Sequence, residues 1–525
     1  MANRMLAAGL GFGRNAWLLP LDLTFRTVGL RYGWLKSLFD HAPPRALAMT
    51  GRLRAERAAW RAVQQVPGYR AYLRTQDVRV ERLVPAGILE KLPETDKASY
   101  IDRYPLEQRC IAGKIPFAGT TIDESSGSTG TPYNWIRSEE ERHVAHRNIS
   151  FFARYCYGGG PLVTINAFSM GAWATGFNMT MALNRNGIVK STGPDIGKIL
   201  STMRFLGTGY RYLILGYPPF IKHLLEEGDR AGIGWDDYTM DALVGGEGMT
   251  EELRDHLLHS FRSVFSGYGA TDIEIGMAGE SPASVAVRRL ARARPEVRRA
   301  LFGEDSRLPM VFQYNPLIHH LEVNGQREVI CTISRLDVLA PRIRYNVHDE
   351  GGVLDFGQMA GKLREFGVTL AGLAGEADLA GPRGPLPWVR PVQLPFLWIY
   401  GRRDATISVM GANIYPEDIE TLIYRDPKIA AAVHSFSLSV VTDSTATPRP
   451  CIALELNEGF PTEAAWSDRV TAQFQAGLEG LNLDYRSALA EFPAAMAPIV
   501  NTYQLGEGPF REDAGRIKQR RIVRS

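Results

Sequence analysis

At 525 residues the chain is too long for one ordinary hydrophobic core, so two or more domains are expected. Hydrophobic residues make up 45% and charged residues 22%, as in globular proteins; 60 basic against 57 acidic residues leave a net charge of +3, which excludes a general pull toward nucleic acid or an acidic partner. The cysteines, Cys110, Cys156, Cys331 and Cys451, lie far apart with no CxxC or Cys/His pattern, which argues against structural zinc and fits a reducing cytoplasm.

Residues 1–60 are rich in Ala and Arg and read as a helical N-terminal extension. Residues 5–13 are apolar and small, with Arg14, Arg26, Arg31 and Lys36 following. A signal peptide and a basic amphipathic segment on a membrane surface are the alternatives. The apolar run is short and ends without a clear cleavage site, which favours the extension. No run in the chain reaches the roughly 18 apolar residues of a membrane span. Val66-Pro67-Gly68-Tyr69 should end a helix, and residues 92–97 read as a loop leading into another.

Residues 117–122 predict a strand and 139–156 a helix. Further strands are expected at 162–168, 212–216, 241–244 and 263–266, with helices at 195–206, 218–229 and 250–261 between them. This alternation predicts an α/β fold: a large α/β domain with mostly parallel sheets. Its ligand would sit beyond the carboxyl ends of the strands. Residues 281–302 hold six arginines in a helical pattern without interleaved aromatics, so a solvated helix face is expected over a nucleic-acid patch. Strands fill 322–349, and a Pro/Gly-rich stretch follows from 372 to 395. After Asp404 the pattern resets to a small α+β domain. It holds a helix at 416–425, strands near 434–441 and 451–456, helices near 463–478 and 484–491, and a late strand. The expected division is thus 1–60, 61–403 and 404–525.

Three loops follow strands directly and could meet at one site. The first is Ser125-Ser126-Gly127-Ser128-Thr129-Gly130-Thr131-Pro132. Its glycines expose backbone N–H groups and its hydroxyls add donors, a combination suited to phosphate oxygens. A flexible Ser/Gly linker is the alternative, and the loop lacks the Gly-Lys-Ser/Thr ending of a Walker loop. The second loop is Gly245-Gly246-Glu247. The third is Gly267-Tyr268-Gly269-Ala270-Thr271-Asp272.

Taken in order, these motifs resemble those of the adenylate-forming superfamily of acyl-CoA synthetases, adenylation domains and luciferases. Within it the chain looks most like phenylacetate–CoA ligase-like and capsule-biosynthesis-type members. The resemblance implies ATP-dependent activation of an aryl or acyl carboxylic acid to an acyl-adenylate, with pyrophosphate release. Transfer to a thiol would follow, most simply coenzyme A. A carrier-protein pantetheine, an amine acceptor and a non-catalytic nucleotide-binding relative are the alternatives.

The resemblance also assigns roles. Ser125, Ser126, Gly127, Ser128, Thr129 and Gly130 would hold phosphate, with Thr131 where lysine is usual. Gly246 and Glu247 would lie beside the adenine, and Tyr268 and Gly269 near it. Thr271 would hold the α-phosphate, and Asp272, in place of the usual Glu, would bind Mg²⁺. Asp349 would grip the ribose, Arg402 would face the nucleotide, and Asp404 would be the hinge. Gly411 would line the pantetheine channel. The late lysine usual in the family corresponds to Lys518 or to Arg516 beside Gly515. Phe168, Trp173 and Phe177 occupy the acyl-pocket position, where core packing is the alternative.

Overall fold

A computed structural model describes residues 31–125, 133–305, 307–375, 390–402, 406–410, 412–442, 448–460, 464–513 and 521–523. The expected positions Ser126 to Pro132, Asp404, Gly411, Arg516 and Lys518 lie outside them. Among the described residues no helix is long and apolar enough to cross a membrane.

Eighteen strands are described: β1 (Thr121–Ser125), β2 (Tyr133–Arg137), β3 (Leu162–Asn166), β4 (Ile188–Ser191), β5 (Arg211–Gly216), β6 (Thr239–Gly245), β7 (Ser263–Ala270), β8 (Glu274–Gly279), β9 (Met310–Tyr314), β10 (His319–Val323), β11 (Glu328–Ile333), β12 (Tyr345–Leu354), β13 (Phe396–Arg402), β14 (Ile407–Val409), β15 (Ala412–Ile414), β16 (Val433–Thr442), β17 (Pro448–Leu456) and β18 (Ile499–Tyr503). Eleven of them form one sheet in the order β10-β11-β12-β13-β9-β8-β7-β6-β5-β3-β4.

The expected strand–helix alternation builds the parallel run β4-β3-β5-β6-β7. Leu213, Ile214 and Leu215 are fully buried, as a parallel strand covered on both faces requires. The crossover helices Ile196–Leu206 and Pro218–Arg230 pack with Ile214 on one face, and residues of the helices Glu139–Tyr157 and Ala174–Leu183 pack with Leu213 and Leu215 on the other. From β7 onward the sheet continues with antiparallel pairs through β8, β9, β13, β12, β11 and β10. The α/β architecture is therefore as expected, and the sheet carries an antiparallel half beside its parallel one.

The helix Pro44–Gln65 runs straight through residue 60, and its Ala55, Ala58, Ala59, Ala62 and Val63 are buried in the main core. It ends at Val66, and Pro67 opens the next helix, where a missing N–H costs nothing.

The C-terminal part has its own core around Ile414, Ile419, Leu438, Leu454 and Phe474. Its small sheet pairs β16 with β17 antiparallel and β17 with β18 parallel. The two parts meet along the helix Pro218–Arg230 and the start of the helix Glu251–Leu257. The backbone N–H of Thr250 donates to Glu420 Oε2 at 3.0 Å, and Lys222 Nζ donates to the carbonyl of Val433 at 2.7 Å.

The arginine-rich helices face inward more than their sequence suggested. Arg288 and Arg289 bond Glu251 at 2.7 and 3.1 Å, and Arg292 bonds Asp255 at 3.0 Å. Arg288 and Glu251 are both buried. This is an internal ion network, and the expected solvated face is reduced to the outer arginines.

Candidate active site

The hydroxyl-rich loop joins two strands. Ser125 at the end of β1 pairs in register with Tyr133 at the start of β2. The aromatic and β-branched run Tyr133-Asn134-Trp135-Ile136-Arg137 thus adds a strand between loop and helix that the sequence reading missed. The helix Glu139–Tyr157 then starts at Ser138, whose hydroxyl accepts from the N–H of Glu141 in a capping box.

Buried side chains tie this hairpin to the third loop. Trp135 Nε1 donates to Ser125 Oγ at 3.2 Å, so that predicted phosphate-binding hydroxyl is buried and held within the protein. The guanidinium of Arg342 lies 4.7 Å from the Trp135 ring, and its Nε donates to the carbonyl of Asp272 at 2.6 Å. Arg137 donates to the carbonyl of Thr271 at 2.5 Å and is balanced by Glu141 at 2.8 Å. Arg137 and Arg342 fix the backbone of Thr271 and Asp272 without touching their side chains. Neither stood out in the sequence, because an arginine's burial is not written in its neighbours.

Asp272 presents its carboxylate to two more groups. Lys97 Nζ lies 3.0 Å from Oδ2, and the Tyr345 hydroxyl donates to the same oxygen at 3.1 Å. Burial, followed by the Asp272 charge, pushes the Tyr345 hydroxyl's pKa well above its ordinary value. Among the described residues no group bonds Oδ1. One free carboxylate oxygen suits Mg²⁺, which binds through one or two carboxylates and keeps several waters. The donor set therefore fits the expected cation.

Gly269 sits where β7 turns toward β8. A side chain there would lie 2.7 Å from both the Glu274 carbonyl and the Gly276 nitrogen, so only glycine fits. Tyr268 beside it donates its hydroxyl to Asp349 Oδ2 at 2.5 Å and packs its ring 5.6 Å from Phe312. Desolvation and the Asp349 carboxylate raise the hydroxyl's pKa well above the ordinary value. Asp349 is in turn the cross-strand partner of Arg402 in the β12–β13 pair. Tyr268, Asp349 and Arg402, widely separated in sequence, are thus linked, Tyr268 by its hydroxyl and Arg402 by strand pairing.

A cavity of about 90 Å³ opens beside Tyr268, lined also by Phe152, Phe168, Met179, Gly246 and Gly267 among others. Gly246 takes φ +84° at the end of β6, and Glu247 follows it, half-buried. Phe168 packs edge-on against Tyr217 at 5.3 Å. Trp173 stands just before the helix Ala174–Leu183 and bridges to Glu124 of β1. Phe177 is 45% exposed and does not line the cavity.

No protein-family model matches the sequence. No curated protein matches it either. The fold, a large mixed sheet with a small C-terminal lobe against it, is shared with solved structures of a CoA ligase. The chain is similar to 2-hydroxyisobutyryl-CoA ligase in its postadenylation state in complex with 2-HIB-AMP, with a TM-score of 0.65 at 12% identity over 93% of this chain and 92% of that one. The same ligase with R3-HIB-AMP gives 0.63 at 13% identity and the same coverage. In its thioesterification state, with 2-HIB-AMP and CoA, it gives 0.51 at 12% identity. At these identities the likeness is one of fold.

Proposed function

We propose that the protein activates a carboxylic acid with ATP and transfers the acyl group to coenzyme A. The carrying observation is that Tyr268 lines an apolar cavity and bonds Asp349, the cross-strand partner of Arg402, with Thr271 and Asp272 held by Arg137 and Arg342 next to the β1–β2 pair that flanks the Ser/Gly segment. In this reading the domains divide near residue 404, and the motifs place the chain nearest the phenylacetate–CoA ligase-like members.

Asp349 accepts from the ribose hydroxyls, a task for which a carboxylate has the lone pairs. Gly246, Glu247, Tyr268 and Gly269 line the adenine side, and Arg402 faces the nucleotide. The loop 125–130 supplies backbone and hydroxyl donors to the phosphates, and Thr271 holds the α-phosphate. Asp272 would hold Mg²⁺, which when bound supplies charge neutralisation to the phosphates.

The substrate carboxylate oxygen attacks the α-phosphorus. The bond to the bridging oxygen breaks and pyrophosphate leaves with that electron pair. Lys518, or Arg516, brings positive charge to this step. The protein contributes position and fixed charge, and no side-chain nucleophile is required. The coenzyme A thiol then attacks the acyl carbon after the small lobe turns about Asp404 and admits it past Gly411, and AMP leaves. The higher similarity to the postadenylation state than to the thioesterification state supports assigning the present lobe arrangement to the stage before thioester formation. Phe168 and the cavity favour a compact apolar acid.

The test is to mix protein, ATP and Mg²⁺ with a panel of aryl and short acyl acids and measure pyrophosphate. Acid-dependent release is expected. ATP binding with no release across a broad panel would reject the proposal.

A further inference from the structure

We infer that the protein has a transition-metal site, of the zinc class, built across the two lobes from His223, Glu226 and His434. His223 and Glu226 stand three residues apart on one face of the helix Pro218–Arg230 in the large lobe. His434 is on β16 of the small lobe. One ligand atom from each can be chosen so that all three lie within 4.8 Å of one another. The two imidazole rings stand nearly perpendicular with centroids 4.8 Å apart.

Two of the atoms involved point to a ligand independently. His223 Nδ1 and Glu226 Oε2 are both buried, and neither has a hydrogen-bond partner. They lie 3.9 Å apart, too far for a hydrogen bond and an ion pair only if the imidazole is protonated. A cation between them would satisfy both. Buried polar atoms without partners are rare, and this pair lies within a single His/Glu/His triangle.

The surroundings orient the ligands. Lys222 Nζ takes the other carboxylate oxygen, Oε1, at 2.7 Å, which turns Oε2 toward the imidazoles. Lys222 itself is anchored to the Val433 carbonyl, next to His434. Asn457 Nδ2 donates to the Ala431 carbonyl at 2.9 Å and lies 3.5 Å from the same Glu226 oxygen, Oε1. Such outer partners orient a ligating side chain, here the Glu226 carboxylate.

Two imidazoles and one carboxylate, with a fourth position for water, is a zinc donor set. A tetrahedral site with bonds of about 2.1 Å places its ligand atoms roughly 3.4 Å apart, so the triangle closes with side-chain shifts of about 1 Å. Because one ligand comes from the small lobe, the bound ion would hold the lobes in the arrangement seen here.

The experiment uses the full chain, stripped with a chelator and dialysed. Zn²⁺ binding is followed by titration calorimetry, and Co²⁺ binding by its visible d–d bands. Expected is one high-affinity equivalent per chain, four-coordinate cobalt bands, and slowed amide exchange in both 218–230 and 433–442 when Zn²⁺ is added. His434→Ala and Glu226→Gln should each weaken Zn²⁺ binding at least about tenfold. His223→Asn, a mild change on a half-exposed residue, controls for misfolding and should do the same while leaving the circular dichroism spectrum unchanged. Absence of a high-affinity equivalent in the wild type overturns the proposal. So does binding that survives all three substitutions, which would mark adventitious histidines elsewhere. Because the readouts need neither ATP nor an acid, the outcome is independent of the proposed catalytic reaction.

Discussion

Lys97 Nζ lies 3.0 Å from Asp272 Oδ2, pairing the start of a short N-terminal helical turn with the proposed metal carboxylate. The sequence placed Lys97 at a loop end with no role, and placed Thr131 where relatives carry a lysine. The pairing supplies a positive charge beside the proposed phosphate site from a different part of the chain. Lys97 also packs 4.9 Å from the Tyr133 ring, on the strand that follows the Ser/Gly loop.

This relationship gives the first prediction. Lys97→Ala should lower kcat/KM for acid-dependent pyrophosphate release about 100-fold, the loss typical of one preorganised charge at a reacting centre. The melting temperature should change little, because the pair is partly exposed and such pairs add at most about 1 kcal/mol. Asp272→Asn should raise the Mg²⁺ concentration for half-maximal rate about tenfold or more. Steady-state kinetics at varied Mg²⁺ check both. A Lys97→Ala protein of full activity would reduce the residue to a structural partner.

Tyr268 and Asp349 separate into different effects. Tyr268→Phe removes one donor to the carboxylate but keeps the ring against Phe312, so KM for ATP should rise about three- to tenfold. Asp349→Ala removes the proposed ribose acceptor and should raise it far more. A nucleotide titration of both variants, with the wild type alongside, measures the split.

The cavity should set the size of acid. Gly267 lines it, has room for a side chain, with the nearest added contact at 3.9 Å, and lacks the positive φ that would oppose substitution. Gly267→Val should raise KM for bulky aryl acids about tenfold or more and leave short acids nearly unchanged. Equal loss for both classes would place the acid elsewhere.

The buried ion network predicts an acid limit to stability. Burial would raise the Glu251 carboxyl's pKa, but Arg254, Arg288 and Arg289 outweigh it and hold it down to about 2. The folded value lies below the unfolded one near 4.3. The carboxylate therefore stabilises the fold fully above about pH 5, and the contribution is lost as pH falls toward 2. Glu251→Gln leaves several arginines short of a counter-charge and should cost about 3–5 kcal/mol, seen as a lower melting temperature at pH 7. The gap between variant and wild type should narrow as pH falls from 5 to 3. A constant gap would contradict the assignment.

The parallel half of the sheet was legible because β5 and β6 are short apolar runs separated by amphipathic helices. The antiparallel half was not, because β9 and β13 pair only after a long excursion, and nothing local marks Phe396 as the partner of Gln313. Glycines and the Tyr268-Gly269 motif were readable, since tight backbone geometry demands those residue types. Arg137, Arg342 and Lys97 escaped notice because charged residues are ordinarily solvated, and only the tertiary fold shows that Arg137 and Arg342 are buried and that Lys97 meets Asp272. His223 and His434 were silent for the same reason: their meeting depends on how two lobes dock.

The most direct test of the central claim is acid-dependent exchange of labelled pyrophosphate into ATP, which reads the adenylation half-reaction alone and needs no acceptor. Exchange is expected with at least one compact apolar acid, dependent on Mg²⁺ and strongly reduced at fixed ATP by Asp349→Ala. Exchange absent with every acid, in a protein shown to bind ATP, would contradict the claim.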